Sequence, residues 1–229
     1  MKILIIIISH DFSKRWCNNI VIFKKYMQQI SNNVEYAGIC SIDEFHNYED
    51  IISFQYKIIN PKRQFSKICD FITEYKYELQ QYDWFIKIRP EVFLFEKFQF
   101  HQLSSQAINA RARHYVGPRK ILYGSSIGGL GSMINDYYMY DTYEHDIILD
   151  DHIFIFHKNI IDKHAFDKFI YDDETPENEY YQSNIWESRN IDFHVIGINM
   201  VMQKYNYYSG HIPKNLQRPK KPNIKLIFT

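Results

Sequence analysis

The chain has few of the residues that mark disulfide-rich, loop-rich or collagen-like proteins. Its 229 residues include only eight glycines, seven prolines and three cysteines. Cys17, Cys40 and Cys69 are odd in number and widely spaced, and no Cys-x-x-Cys pair is present. This pattern speaks against a disulfide framework or a zinc site, and it predicts reduced thiols in a reducing compartment.

Net charge and long apolar runs are also missing. Lys plus Arg and Asp plus Glu each total 27, so the balance gives no sign of a nucleic-acid or polyanion binder. The apolar run at residues 3–8 is too short for a signal-peptide core or a membrane span. We therefore expect a soluble, cytoplasmic protein with no membrane span and no nucleic-acid partner.

Several catalytic and phosphate-binding motifs are absent from the sequence. There is no G-x-G-x-x-G after the first predicted strand, no P-loop and no H-E-x-x-H. A phosphoryl- or nucleotidyl-transferring enzyme would need a phosphate-cradling loop of this kind. A glycosidase with two carboxylates across a glycosidic bond stays open as an alternative at this point.

The chain is rich in apolar and aromatic residues, which make up 45% and 17% of it. Residues 3–8 are typical of a parallel strand that is covered on both faces. Further strands are expected at 34–39, 54–59, 83–88, 115–116, 147–156 and 193–198, and helices at 14–31, 66–81 (capped by Ser66), 159–170 and 177–189. This alternation predicts an α/β fold with a central, mainly parallel mixed β-sheet flanked by helices. One domain at 1–212 and an extended basic tail at 213–229 are the simplest division.

The stretch with the clearest chemical message is strand 83–88 and the Arg89-Pro90-Glu91 that follows it. Charged residues beside so apolar a strand must be solvated, paired or bound, and the carboxyl edge of such a sheet is where α/β folds bind ligands. We expect Glu91 to help bind a divalent cation, and Arg89 to offset phosphate or to orient a carboxylate. The alternative is a surface ion pair.

Asp150-Asp151-His152 forms a second constellation, in a predicted strand that follows the glycine-rich segment 117–132. Neighbouring carboxylates tend to push their pKa values apart, which suits a general base and its partner. In an alternating strand only one of the two acids would face a cleft. A negatively charged turn is the alternative.

Cations and a histidine near the amino-terminal elements predict nucleotide contacts. Ser9 and His10 end the first strand, where a loop often touches a nucleotide; an N-cap by Ser9 or Asp11 is the alternative. Arg63 and Lys67 lie at the start of a predicted helix, where cations oppose the helix dipole. A bound phosphate would explain them, and solvated surface charges are the alternative.

Two late residues complete the candidate set. Glu177 opens a predicted helix, a position that the dipole alone favours for an acid. His211 stands beside Gly210, which allows a tight turn, and a late histidine can complete a metal site. The alternative for His211 is a structural or surface histidine.

Taken in order, these elements resemble the small GT-A type glycosyltransferases of large DNA viruses, notably the chlorella-virus capsid-glycan enzymes, and their bacterial relatives. The resemblance spans most of residues 1–200 and depends on the isoleucine-rich first strand, Arg89-Pro90-Glu91, Asp150 to Phe154, and Pro176-Glu177. In that family an Arg-Pro-Asp element stands in for the Asp-x-Asp metal motif. Here Glu replaces Asp, which lengthens the reach by one methylene.

The resemblance implies a single GT-A-like domain and a metal-dependent hexosyltransferase. Its cofactor would be Mn2+ or Mg2+, its donor a UDP-sugar, and its acceptor a glycan or glycoprotein in viral or surface glycan synthesis. The compartment would be the host cytoplasm if the protein is viral. By the resemblance, Glu91 and His211 bind metal, Asp151 or Asp150 is the base, and Glu177 contacts the donor. A non-catalytic nucleotide- or glycan-binding module with the same fold is the alternative.

Overall fold

The fold is taken from a computed structural model, which describes residues 1–9, 12, 14–40, 48–57, 64–94, 100–116, 145–167, 185–186, 188–196 and 200–202. The elements in chain order are β1 (Ile3–Ile8), α1 (Lys14–Met27), β2 (Val34–Cys40), β3 (Phe54–Lys57), α2 (Gln64–Glu74), α3 (Lys76–Leu79), β4 (Trp84–Ile88), β5 (Val92–Leu94), β6 (Ala107–Val116), β7 (His145–His157), α4 (Lys158–Asp162), β8 (Asp192–Val195) and β9 (Met200–Met202). The glycine-rich segment 117–132 and the tail 213–229 lie outside these ranges.

Seven strands form one mixed sheet in the order β3-β2-β1-β4-β7-β6-β8. The pairs β3-β2, β2-β1, β1-β4 and β6-β8 are parallel, and β7 is antiparallel to both of its neighbours. Strands β5 and β9 pair separately as an antiparallel ribbon. The predicted fold class is therefore confirmed: an α/β fold whose mainly parallel mixed sheet is flanked by helices.

Strand β1 shows why the sheet must be covered on both faces. All six of its residues are buried, and alternate side chains point to opposite faces. Ile3, Ile5 and Ile7 join a core with Phe23 of α1, whereas Leu4, Ile6 and Ile8 join a second core with α2. Each buried aliphatic side chain contributes about 1.5–3 kcal/mol, an upper estimate. The predicted double coverage of β1 is confirmed.

Three helix predictions differ from the structure. Helix α1 ends at Met27 and not at the expected residue 31. The expected helix 66–81 is two helices separated at Tyr75, and α2 begins at Gln64, so Ser66 lies inside its first turn and is not its N-cap. Helix α4 ends at Asp162, well before the expected 170. Soon after, His164 adopts a φ of 65°, and a residue in this left-handed region ends a helix.

The strand predictions missed the early part of β6 and both strands of the small ribbon. Strand β6 begins at Ala107, eight positions before the expected 115. Its alanines have low strand propensity, which weakens the local signal. Strands β5 and β9 have three residues each, too few for a periodic pattern.

Two further expectations concern cysteines and membranes. Cys17 is half-buried and Cys69 is buried. Among the helices of the described ranges, none is long and apolar enough to cross a bilayer.

Candidate functional site

The candidate site lies at the carboxyl edge of the central strands. Strands β1 and β4 are parallel neighbours with Ile7 opposite Ile88, so Ser9 and Arg89, which follow these strands, emerge at the same edge. Strand β7 runs in the opposite direction and sets Ile153 opposite Ile88. The backbone N–H of Arg89 donates to the carbonyl oxygen of His152 at 3.1 Å. The two groups of residues that the sequence singled out are therefore joined by a backbone hydrogen bond between neighbouring strands.

Arg89-Pro90-Glu91 forms a tight turn between β4 and β5. Pro90 has no N–H to donate to a sheet ladder, so β4 ends before it. The N–H of Val92 donates to the carbonyl oxygen of Arg89 at 3.0 Å and closes the turn. From α1, the side-chain amide of Asn19 donates to the carbonyl oxygen of Pro90 at 3.1 Å. Hydrogen bonds from two distant elements, α1 and β7, hold this turn.

Within the turn, Arg89 and Glu91 form an ion pair. The guanidinium Nη2 of Arg89 lies 3.0 Å from Oε1 of Glu91, whose side chain is only 1% exposed. A surface ion pair, the alternative drawn from the sequence, is therefore wrong. The contact with Glu91 corresponds to one of the two roles expected of Arg89, which is to orient a carboxylate.

The second carboxylate oxygen of Glu91 sets this pair apart from a purely structural one. Oε2 is buried, and among the described residues it has no hydrogen-bond partner. Leaving a buried acceptor unsatisfied costs about 1–3 kcal/mol, more when it is charged. Such atoms in native proteins call for an explanation, and a ligand or ion is one of the few available. Among the described residues, the geometry therefore offers one oriented, unsatisfied carboxylate oxygen at the carboxyl edge of the central strands.

Asp150, Asp151 and His152 lie where the pairing of β7 with β6 is irregular. Between the pairs Ala110–Phe154 and Ala112–Leu149, one residue of β6 faces the four residues 150–153 of β7. Irregularities of this kind occur often beside active sites, where they re-aim side chains. His152 is buried. For Asp150 and Asp151 the structure describes only the backbone. The structure thus fixes the backbone position of the two acids beside Arg89.

Of the other predicted site residues, only some lie in the part of the chain that the structure describes. Ser9 is buried, and its N–H lies 3.4 Å from the carbonyl oxygen of Ile39. It is not the N-cap of α1, which begins five residues later at Lys14. The remaining predicted positions, His10, Asp11, Arg63, Glu177 and His211, lie outside the described residues.

Two buried lysines pack against the α2 side of the sheet. Lys67 of α2 is completely buried, so the solvated surface charge that the sequence allowed is wrong for this residue. Its burial restricts any phosphate contact to the interior of the fold. Lys87 of β4 is also buried; its Nζ donates to Oε1 of Gln64 at 3.1 Å and lies 5.5 Å from the centre of the Phe154 ring.

Two buried polar residues, Lys87 and Asn19, are not among the positions predicted from the sequence. Each had a signal: Lys87 is a charge within an otherwise apolar strand, and Asn19 is a polar residue on the apolar stripe of α1 that contains Trp16 and Phe23. A polar residue at a position that the periodicity assigns to the core needs a partner when buried. Scanning predicted core positions for polar residues would have found both.

The described residues include no group of three or more His, Cys, Asp or Glu side chains that could hold a metal ion. Mg2+ bound to a nucleotide diphosphate nevertheless takes only one or two protein carboxylates, because phosphate oxygens and water complete its shell. The single unsatisfied oxygen of Glu91 suits such an ion. The residues present therefore fit a metal–diphosphate better than a fully protein-ligated metal.

Comparison with known proteins yields structural similarity only. Neither a protein-family model nor a curated protein matches the chain. A glycosyltransferase involved in the glycosylation of the major capsid of PBCV-1 is 10% identical, with a TM-score of 0.47 over 85% of this chain and 81% of that one. A mutant Drosophila β1,4-galactosyltransferase 7, in complex with manganese, UDP-Gal and xylobiose, is 7% identical, with a TM-score of 0.48 over 98% of this chain and 78% of that one. These values describe a similarity in overall backbone arrangement and assign no activity to this chain.

Proposed function

We propose that this protein is a metal-dependent GT-A type glycosyltransferase that moves a sugar from a UDP-sugar to a hydroxyl group of a glycan or glycoprotein. The observation that carries the proposal is the buried Oε2 of Glu91, which has no hydrogen-bond partner among the described residues. Glu91 lies two residues after Arg89, whose backbone N–H donates to the carbonyl oxygen of His152 in the Asp150-Asp151-His152 segment. The four parallel strands β3-β2-β1-β4 supply the kind of edge at which α/β folds bind nucleotides.

On this proposal, Glu91 and His211 hold Mn2+ or Mg2+ beside the UDP diphosphate. When bound, the ion stabilises the negative charge of the leaving diphosphate as a Lewis acid. Arg89 occupies Oε1 of Glu91 and so directs Oε2 toward the ligand. Ser9 and His10 contact the nucleotide, Arg63 and Lys67 contribute positive charge for phosphate, and Glu177 contacts the donor.

The chemical step requires a group that removes a proton from the acceptor hydroxyl. In an inverting reaction the acceptor oxygen bonds to the anomeric carbon while the bond from that carbon to the diphosphate breaks. Asp151, or else Asp150, takes the hydroxyl proton as general base. A retaining course uses the same donor site and differs in the face of attack.

Glu91→Ala tests the donor site. We expect the variant to fold while Mn-dependent UDP binding weakens by at least about 100-fold, the upper value for losing even an outer partner of a metal. Isothermal titration calorimetry with UDP, with and without Mn2+, measures the effect. Glu78→Ala, which removes an exposed glutamate of α3, is the matched control and should bind as the wild type does.

Unchanged Mn-dependent binding in Glu91→Ala would remove Glu91 from the metal site. Metal-independent UDP binding without donor turnover in the wild type would indicate a non-catalytic binding module. Donor turnover that survives both Asp151→Asn and Asp150→Asn would exclude these residues as the base.

A further inference from the structure

Asn19 is a buried polar residue on the apolar face of α1. Its side chain is 7% exposed, and Trp16, Ile20 and Phe23 on the same stripe are buried as well. Burying an amide costs free energy unless it is hydrogen-bonded. For the packing of α1 alone, an apolar residue at this position would serve equally well.

The amide of Asn19 reaches the turn that carries Glu91. Its Nδ2 donates to the carbonyl oxygen of Pro90 at 3.1 Å, in a buried contact between residues 71 positions apart in sequence. That oxygen belongs to the same planar peptide unit as the backbone nitrogen of Glu91. Fixing the direction of the Pro90 carbonyl therefore fixes the orientation of the Pro90–Glu91 peptide plane, and with it the starting direction of the Glu91 backbone.

The orientation of Glu91 thus depends on contacts at both of its ends. Asn19 holds the peptide plane before Glu91, and Arg89 holds carboxylate oxygen Oε1. The bond from Val92 N–H to Arg89 carbonyl oxygen closes the turn around them. Loss of the Asn19 contact would let the Pro90–Glu91 peptide rotate and the carboxylate move.

We propose that Asn19 is a positioning residue that sets the direction of Glu91 Oε2 from helix α1. The effect on metal binding rests on the proposed function, whereas the effect on the turn does not. In this role Asn19 acts through Glu91 and needs no contact of its own with the metal or the nucleotide. Its removal should accordingly weaken the metal-dependent part of UDP binding and leave the metal-independent part unchanged.

The experiment compares Asn19→Ala, which removes the donor, with Asn19→Ser, which keeps a shorter hydroxyl donor. Asn18→Ala, at the adjacent exposed position of the same helix, is the matched control. We expect Asn19→Ala to lower the Mn-dependent affinity for UDP by about tenfold and Asn19→Ser to retain part of it. Amide hydrogen exchange at Val92 should be faster in Asn19→Ala by up to about tenfold, the range for one lost hydrogen bond.

Three results would overturn the inference. The first is that Asn19→Ala matches Asn18→Ala in both measurements. The second is that UDP affinity falls equally with and without Mn2+, which would mark a merely structural role. If the wild type shows no Mn-dependent UDP binding, the proposed function fails, and the hydrogen-exchange rate at Val92 alone decides whether Asn19 positions the turn. An exchange rate that Asn19→Ala leaves unchanged is then the third result that overturns the inference. Should Asn19→Ala not fold, Asn19→Leu has a similar shape without a donor or a charge and is compared in the same way.

Discussion

At the scale of single residues, the Arg89–Glu91 pair shows how a buried ion pair contributes to holding the candidate site. Two charges buried together are stabilised only where their geometry is good, and removing one of them leaves the other uncompensated. The pair is close, at 3.0 Å, and the turn around it is fixed by bonds from α1 and β7. Stability and ligand binding therefore depend on the same few atoms.

Arg89→Met should lower the free energy of unfolding by about 3 kcal/mol, because Glu91 would keep a buried charge without its partner. Urea unfolding followed by circular dichroism measures this. The double variant Arg89→Met/Glu91→Met should recover most of the loss, since apolar residues often replace a buried ion pair at little cost. Equal instability of the single and double variants would contradict the account.

Residue-level prediction from sequence succeeded only in part. Arg89 and Glu91 were singled out because charge next to an apolar strand is conspicuous along the chain. The burial of Glu91 was not predicted, since it depends on α1 and β7 packing around the turn. The bond from Asn19 to Pro90 was not predictable either, because the two residues are remote in sequence.

At the scale of elements, a polar cluster joins the amino ends of β1, β2 and β4, at the edge of the sheet opposite the candidate site. Asp83 accepts the backbone N–H of Lys2 at 2.9 Å and lies 3.7 Å from Nζ of Lys158. Glu35 accepts from Nζ of Lys2 at 2.8 Å and from the Tyr82 hydroxyl. These contacts tie the start of the central strands to one another.

The pKa of Asp83 is lowered from its usual 3.8, first by the hydrogen bond from the Lys2 backbone and then by Lys158. A carboxyl whose pKa is lower in the folded state stabilises the protein above its unfolded pKa, and this contribution is lost as the pH falls through the folded value. We expect Asp83→Asn to unfold at a lower temperature than the wild type at pH 5–7, with the difference shrinking as the pH falls below about 3.8.

Thermal unfolding between pH 7 and pH 3 provides the measurement. Asp162→Asn, at an exposed position of α4, is the control and should keep the wild-type unfolding temperature at neutral pH. A difference between Asp83→Asn and wild type that grows toward acid pH would contradict the proposed sign. UDP binding should not change in Asp83→Asn, because the cluster lies at the opposite edge of the sheet.

At the scale of the whole molecule, one sheet separates two cores. Trp84 packs on the α1 side, with its ring 5.3 Å from that of Phe100. Trp186 is fully buried on the α2 side, 5.3 Å from Phe154 and from Phe65, and its indole N–H donates to the carbonyl oxygen of Ala165 at 3.0 Å. Because β1, β4 and β7 contribute side chains to both cores, neither core can be lost alone.

We therefore expect a single cooperative unfolding transition. Two variants report the faces separately: Trp16→Phe/Trp186→Phe keeps Trp84, and Trp16→Phe/Trp84→Phe keeps Trp186. Within each variant, the urea midpoint from tryptophan fluorescence should equal the midpoint from far-ultraviolet circular dichroism. Comparison inside one variant cancels the effect of the substitutions on stability. Separate midpoints in either variant would show that the two cores unfold independently.

The α/β class, strands β1 and β4, and the position of Arg89-Pro90-Glu91 after a strand could all be read from local sequence. These features depend on apolar runs and on the properties of proline, which act between near neighbours in the chain. Packing between distant segments sets β7 antiparallel beside β4 and joins Asn19 to Pro90. It also buries Glu91 with one oxygen unsatisfied among the described residues. Each of these depends on contacts between residues far apart in sequence, which local periodicity does not encode.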